Sequence, residues 1–214
     1  MKVLVVGANG QIGRHLVTLL QESEKHTVRA MVRKEEQAEE FKNQGVETAL
    51  ADLEGSVEDI ANAAEGCDAV VFTAGSGGHT GPDKTLLIDL DGAGKTIEAA
   101  ERAGVMRYVQ VSAIQAHNRE NWSDQIKPYF AAKHYADRML ELSRLTYTIV
   151  RPGGLTNDKG EGTIMAGENL ERASIPREDV AETIFYTLDA RNTFNKGFDL
   201  VSGDQPIGEA VRDI

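Results

Sequence analysis

The sequence M-K-V-L-V-V-G-A-N-G-Q-I-G occupies residues 1–13 and joins an apolar run to three glycines at three-residue spacing. The run Lys2–Val6 predicts a buried β-strand, and an amphipathic segment beginning at Ile12 predicts the helix that follows it. Gly7 permits a sharp turn, and Gly13 lets the helix pack closely on the strand. This stretch predicts a strand–turn–helix unit at the start of the fold.

The turn within residues 1–13 is also suited to an anion. Gly10 has no Cβ, so a phosphate can approach the backbone, and the free N–H groups at the start of the helix favour negative charge. We expect a dinucleotide there, and the alternative is a merely tight turn. The residues expected to bind its pyrophosphate are Gly7, Asn9, Gly10, Gln11, Ile12 and Gly13.

Composition limits the class of protein. The chain has 214 residues, of which 41% are hydrophobic and 27% charged, as in a globular protein. No long apolar run is present, so we expect no membrane partner and a cytoplasmic location. The net charge of −11 argues against a nucleic-acid partner. A single cysteine, Cys67, and five scattered histidines give no metal-ligand spacing, so no metal centre is expected.

Strand and helix patterns alternate along the chain, which predicts a parallel α/β sheet. The predicted strands are Lys2–Val6, Thr27–Val32, Glu47–Leu50, Ala69–Thr73, Arg107–Val111, Thr146–Val150 and Gly197–Val201. The predicted helices are Ile12–Ser23, Glu35–Asn43, Val57–Ala64, Lys84–Ala103, Tyr129–Ser143 and Arg177–Leu188.

These patterns predict a doubly wound Rossmann fold of the α/β class, with a mostly parallel seven-stranded sheet. We expect one domain, residues 1–214, in which residues 151–214 contribute a small C-terminal substrate lobe. Two polar stretches, 113–127 and 153–174, escape the alternation. Long loops that follow strands of such a sheet lie where ligands bind, so we interpret both as walls of a substrate pocket.

The second strand ends in M-V-R-K, residues 31–34. An NAD-binding unit usually carries an acid near this point to bind the ribose hydroxyls. Arg33 stands there instead, and a cation suits the 2′-phosphate of NADP. Arg14 is a second candidate cation. We therefore expect NADP in preference to NAD; the alternative is that both arginines are solvated surface charges.

Tyr129 and Lys133 are four residues apart on a predicted helix and so share one face. A lysine ammonium beside a phenol is expected to lower the phenol pKa towards working pH, which suits a tyrosine acid/base. Ser112 ends a predicted strand and could bind the same substrate oxygen. An ordinary surface tyrosine–lysine pair is the alternative.

At this point the chain resembles the short-chain dehydrogenase/reductase superfamily, and specifically its atypical or extended-like NAD(P)-binding branch, which is epimerase/dehydratase-like. The resemblance covers nearly the whole chain. It rests on G-A-N-G-Q-I-G at 7–13, A-D-L at 51–53, F-T-A-G at 72–75, V-S-A at 111–113, Y-F-A-A-K at 129–133 and R-P-G-G-L at 151–155.

The resemblance implies a role for each matching residue. Ser112, Tyr129 and Lys133 would form the catalytic trio, and Lys133 would also bind the nicotinamide ribose. Where the family has a catalytic asparagine, this chain has Asp89, which puts the family's proton relay in doubt. The remaining cofactor-binding residues would be Asp52 and Leu53 at the adenine, Thr73, Ala74 and Gly75 along the fourth strand, and Pro152 and Gly153 at the nicotinamide.

We interpret the chain as an NADP-dependent oxidoreductase that transfers a hydride to or from a small carbonyl or hydroxyl substrate. A non-catalytic NADP-binding or redox-sensing protein is the first alternative, kept open by Asp89. A sugar-nucleotide epimerase or dehydratase is the second, although the region after Arg151 is short for a nucleotide sugar. The oligomeric state does not follow from the sequence.

Overall fold

The computed structural model describes residues 1–78 and 80–214. The strands are β1 Lys2–Val6, β2 Thr27–Val32, β3 Glu47–Leu50, β4 Ala69–Phe72, β5 Arg107–Val111, β6 Thr146–Pro152, β7 Gly154–Thr156, β8 Thr163–Gly167, β9 Ser174–Pro176, β10 Lys196–Ser202 and β11 Gln205–Pro206. They form a central sheet with the strand order β3-β2-β1-β4-β5-β6-β10-β8-β11 and a separate parallel pair, β7 and β9.

Helices cover both faces of this sheet. They are α1 Gln11–Gln21, α2 Glu35–Asn43, α3 Val57–Ala64, α4 Pro82–Lys84, α5 Ala93–Arg102, α6 Lys127–Glu141, α7 Arg177–Thr187 and α8 Ile207–Arg212. A π-helical segment, Thr85–Gly92, joins α4 to α5, and three-residue 3₁₀ turns lie at Arg119–Asn121, Asp124–Ile126 and Arg191–Thr193. Within the described ranges, no helix combines the length and the hydropathy needed to cross a bilayer.

The apolar runs at the centre of the sheet form strands that are buried on both faces. In β1, Val3 and Val5 pack with α1, α2, α7 and α8 on one face, whereas Leu4 and Val6 pack with α3, α5 and α6 on the other. Both sets of side chains are fully buried. At about 25 cal/mol per Å² of apolar surface removed from water, two such layers are the main stabilising contribution to the fold.

The predicted class is confirmed, but the predicted strand count of seven is wrong, because the main sheet has nine strands. The seven predicted strands form its parallel part. The two additional strands, β8 and β11, add to one edge in antiparallel orientation. The strand β8 lies between β10 and β11, and a strand with one exposed face carries no continuous apolar run: in β8, Ile164 is buried and Met165 is 52% exposed. β11 has only two residues.

The predicted helix Lys84–Ala103 is also corrected. Its first part is α4 and the π-helical segment, and only the second part, α5, is regular α-helix. A π-helical turn has i→i+5 hydrogen bonds, which shift side chains relative to an α-helix, and such turns are frequent at functional sites. Asp89 lies within this segment.

The strand order β3-β2-β1-β4-β5-β6 reverses direction between β1 and β4. Ligands of doubly wound sheets bind at the carboxyl ends of the strands at such a switch point. The glycine-rich turn after β1 lies there, so the fold positions the candidate site at this edge.

Candidate functional site

The glycine-rich turn has the geometry of a cradle. Gly7 has a φ of +84°, and a Cβ added there would lie 2.7 Å from the backbone nitrogen of Ala74. A Cβ on Gly13 would overlap the Gly7 carbonyl oxygen. At Gly10 an added Cβ would meet only that oxygen, at 3.2 Å, so the outward side of Gly10 is open within the described structure. The turn has room for a phosphate against its backbone.

The first turn of α1 leaves its backbone donors available. Gly10 caps the helix without a side chain, and no acidic residue occupies the first turn. Gln11 is exposed, whereas Ile12 is buried in the core. The Asn9 side chain accepts a hydrogen bond from Arg14. Free N–H groups and the positive end of the helix dipole suit an anion, so the residues present fit a dinucleotide pyrophosphate.

The two candidate cations differ in availability. Arg14 is paired with Glu40 through two hydrogen bonds of 2.7 and 2.9 Å, and its guanidinium lies 5.4 Å from the Phe41 ring centroid. Arg33 is exposed at the end of β2 and makes no ion pair with any described residue. Arg33 is therefore the cation left free to contact an added phosphate.

The adenine side and the fourth strand contribute the next predicted residues. Asp52 is exposed and Leu53 is buried, with the Asp52 carboxylate accepting the N–H of Glu54 at 3.0 Å. The Thr73 hydroxyl donates to the carbonyl oxygen of Val6 at 3.0 Å. The end of β4 is thereby held against the end of β1.

Asp89 connects the segment after β4 with the predicted catalytic residue Lys133. It is 1% exposed, and its Oδ2 accepts the N–H of Ser76 at 3.0 Å. Its Oδ1 lies 3.2 Å from Lys133 Nζ in a buried ion pair. A Cβ added at Gly75 would come within 3.2 Å of the same Oδ1. The sequence singled out Asp89 as a departure from the family but did not predict its ion pair.

Lys133 is held in place by two contacts. Besides Asp89, its ammonium donates to the carbonyl oxygen of Val111 at 3.1 Å, directly before Ser112. Its Nζ is 5.8 Å from the Tyr129 ring centroid, as the shared helix face predicted. Ser112 is 2% exposed, and its hydroxyl has no partner among the described residues. The helix α6 and the end of β5 thus bring Lys133 together with both neighbours.

The expectation that Lys133 lowers the pKa of Tyr129 towards working pH is wrong. Burial is the largest influence and raises the pKa of Tyr129, Lys133 lowers it, and the carboxylates of Asp89 and Asp137 raise it further. The balance lies above the ordinary value of about 10 for a tyrosine. Tyr129 is therefore a neutral phenol, able to donate a proton.

Lys133 itself remains charged. Burial lowers the pKa of Lys133, but the Asp89 carboxylate, with smaller contributions from Tyr129 and Asp137, raises it above the ordinary value for a lysine. Burying an ammonium without a partner costs several kcal/mol, so Asp89 explains how this one is tolerated.

The last predicted cofactor residues lie at the end of β6. Pro152 and Gly153 are buried, and the Gly153 N–H donates to Leu200 at 2.8 Å. A Cβ on Gly153 would overlap the carbonyl oxygen of Ala173, so only glycine permits this approach. Pro152 and Gly153 lie at the end of β6, which is two strands away from β4 in the sheet and contacts α6.

The two predicted loops are tied together by Asp199, which the sequence analysis missed. This fully buried residue accepts the backbone N–H of Gln115 at 3.2 Å, its side-chain amide at 2.9 Å and the N–H of Leu170 at 3.1 Å. Burial raises the pKa of Asp199, although these donors oppose the shift. An acid inside the apolar strand sequence F-D-L-V was the available signal.

The comparisons with known proteins agree with this geometry. A family model described as NAD(P)H-binding matches residues 7–191. A Bacillus subtilis protein named "Uncharacterized sugar epimerase YhfK" is 60% identical over 214 residues, which is the full length of both chains. These matches confirm the predicted superfamily branch.

Two solved structures extend the likeness. A Bacillus halodurans structure, reported as a candidate NAD-dependent epimerase/dehydratase, superimposes with a TM-score of 0.93 at 41% identity and covers both chains fully. ChuY, an anaerobilin reductase from Escherichia coli O157:H7, has a TM-score of 0.82 at 25% identity, over 95% of this chain and 98% of its own. The first of these proteins is named for an epimerase/dehydratase activity and the second for a reductase activity.

Proposed function

The chain belongs to the NAD(P)H-binding family of Rossmann proteins, and on that premise we propose that it is an NADP-dependent reductase of small carbonyl compounds. The observation that carries the proposal is the Asp89–Lys133–Tyr129 arrangement beside Ser112. Asp89 and Lys133 are 3.2 Å apart, and Lys133 lies 5.8 Å from the Tyr129 ring. A charged lysine beside a neutral phenol is suited to proton donation.

Each residue of the chain has a role in this proposal. Tyr129 donates its phenolic proton to the carbonyl oxygen of the substrate, and the Lys133 ammonium stabilises the phenolate that this step leaves. The unpartnered Ser112 hydroxyl donates a second hydrogen bond to the same oxygen. A bound NADPH supplies the hydride for the carbonyl carbon. Asp89 positions Lys133 and keeps it charged.

The raised pKa of Tyr129 supports reduction over the epimerase and dehydratase alternatives. Those reactions begin by oxidising a hydroxyl group, which requires a base. Burial and the nearby carboxylates raise the pKa of Tyr129 and so favour the protonated phenol, the form that donates a proton. Epimerase chemistry remains the second candidate because it is named in the 60%-identical relative.

The choice of NADP rests on Arg33. It lies at the end of β2, and neither it nor the adjacent Lys34 has an acidic partner among the described residues. No acid occupies the position that would bind the ribose hydroxyls of NAD. The substrate that we propose is a small molecule, with residues 151–214 contributing to its pocket as a lobe of the single domain.

Replacing Tyr129 by phenylalanine tests the catalytic assignment. We expect NADPH consumption over a panel of aldehydes, ketones and quinones to fall by about 10²–10⁴-fold, with NADPH affinity retained. Tyr135→Phe is the matched control, because Tyr135 is on the same helix and 50% exposed. Equal turnover in the two variants, or a wild type that reduces nothing, defeats the proposal in favour of a non-catalytic NADP-binding protein.

A further inference from the structure

A second cleft is lined by residues of α6, β6 and β10. It consists of two adjoining hollows of about 690 and 570 Å³ that share His117, Glu141 and Arg151. Ser112, Tyr129 and Lys133 line neither hollow. We call this the Arg151 cleft, and its volume is that of a small-molecule site.

The floor of the Arg151 cleft is a buried guanidinium whose outer nitrogens are unused. Arg151 is 5% exposed, and its Nε donates to Asp137 Oδ2 at 2.9 Å. The other oxygen of Asp137 accepts from Gln110 at 2.9 Å. Within residues 1–78 and 80–214, no hydrogen bond reaches Nη1 or Nη2, and Glu141 Oε1 is 3.8 Å from Nη2. Neither nitrogen is fully enclosed by protein, so their N–H donors open onto the cleft.

The absence of a side chain at Gly197 leaves the space that the Arg151 guanidinium occupies. A Cβ added there would lie 2.5 Å from Nη1 and 2.8 Å from both Cζ and Nη2 of Arg151. The arginine therefore lies directly against the backbone of β10, and any larger residue at 197 would displace it. This close fit holds the Arg151 guanidinium in one orientation, at the junction of the two hollows.

The acids nearest to Arg151 are partly engaged by other groups. Asp199 accepts three hydrogen bonds from Gln115 and Leu170. Glu141 Oε2 accepts from Arg138 at 2.8 Å, whereas its Oε1 faces Arg151 Nη2 at 3.8 Å. His117 Nε2 contacts Asn169, and its buried Nδ1 has no hydrogen bond among the described residues and lies 3.9 Å from Asp199 Oδ1. The cleft is also lined by Glu120, Glu168 and Asp213.

We propose that the Arg151 cleft binds a small oxyanion, a carboxylate or a phosphate, that accepts both Nη donors of Arg151. Planar guanidinium forks bind carboxylate and phosphate oxygens in pairs, and such charge-assisted bonds are among the strongest in proteins. In a chain with a net charge of −11, an anion needs a locally placed cation, and this buried arginine supplies one. The site is independent of the proposed reductase chemistry.

The test is a titration of the full ¹⁵N-labelled chain with sodium succinate and, separately, sodium phosphate. Ionic strength is held constant with NaCl, and each series is run with and without NADPH, which occupies the glycine-rich turn. We expect one probe to give saturable amide shifts at His117 and Gly197, with a Kd of about 1 mM or tighter. The probe that binds identifies the oxyanion as carboxylate or phosphate.

Arg151→Lys keeps the positive charge and removes the pair of Nη donors, so we expect it to weaken binding of the oxyanion about fivefold or more. Arg144→Lys is the matched control, since the Arg144 side chain is 84% exposed and outside the cleft. Gly197→Ala displaces the guanidinium without changing charge and should weaken binding as well. The proposal is overturned if neither probe gives saturable shifts in the wild type, if the shifts map only to residues 7–13, or if Arg151→Lys and Arg144→Lys bind equally.

Discussion

Asp89 and Lys133 illustrate how one residue changes the chemistry of its neighbours. An asparagine at position 89 could accept the same N–H of Ser76, but it could not balance a buried ammonium. The aspartate holds Lys133 charged, and together with burial it keeps the pKa of Tyr129 above the ordinary value. The departure from the family pattern is thus compatible with catalysis in the reductive direction.

Asp89→Asn tests this coupling. Reduction needs a protonated phenol, so its rate is retained at low pH and is lost as pH rises through the pKa of Tyr129. Without the carboxylate the pKa of Tyr129 falls, so the alkaline limb of kcat/KM should move to lower pH. Asp91→Asn is the control, because Asp91 is 53% exposed and pairs with Lys95. An unchanged alkaline limb in Asp89→Asn would contradict the assigned role.

Arg33 is the residue on which the proposed preference for NADP rests. If its guanidinium contacts the 2′-phosphate, Arg33→Ala should weaken NADPH binding roughly tenfold or more, the size of a lost charged hydrogen bond. NADH binding should be unchanged. Fluorescence titrations of both cofactors measure this, with Arg144→Ala as the exposed control. Equal wild-type affinities for NADPH and NADH would be incompatible with the assignment of NADP.

The strand–turn–helix element β1–α1 depends on glycine for packing as well as for binding. A side chain at Gly13 would overlap the Gly7 carbonyl oxygen, and the turn would have to open. A methyl group forced into such a contact costs about 1–3 kcal/mol. The turn that we propose binds the phosphate and the packing of α1 on the sheet therefore depend on the same glycine.

Gly13→Ala should lower the free energy of unfolding by about 1–3 kcal/mol and weaken NADPH binding. Denaturant melts and cofactor titrations measure the two effects together. Gly154→Ala is the matched control, because a Cβ there meets its nearest atom at an ordinary 3.5 Å. Unaltered stability and NADPH affinity in Gly13→Ala would show that the turn is not constrained as described.

Across the whole molecule, the sequence predicted what local pattern encodes. The central strands β1, β4 and β5 are buried on both faces, and the glycine turn has a recognisable spacing, so the fold class and the place of the switch point could be predicted. The strand β8, between β10 and the edge strand β11, was missed because its side chains are buried on one face only. The ion pair of Asp89 with Lys133 joins residues far apart in sequence, and no local pattern specifies it.

The same limit explains the error at Tyr129. Its spacing from Lys133 correctly placed the two on one helix face. The sign of the pKa shift of Tyr129, however, depends on burial and on two carboxylates. These are Asp89 of the π-helical segment and Asp137, about two turns further along α6 than Tyr129. Long-range packing sets both contributions.

The most direct measurement follows the hydride. The protein is incubated with NADPH that carries deuterium at C4, in the position from which the hydride is transferred. The substrate is the carbonyl compound of the panel that supports the fastest NADPH consumption, and the product is analysed by mass spectrometry. The account predicts one deuterium on the former carbonyl carbon of the wild-type product, and a rate of incorporation that Tyr129→Phe reduces by about 10²–10⁴-fold. A product without deuterium, or deuterium that stays in the cofactor while the substrate is isomerised, would contradict it.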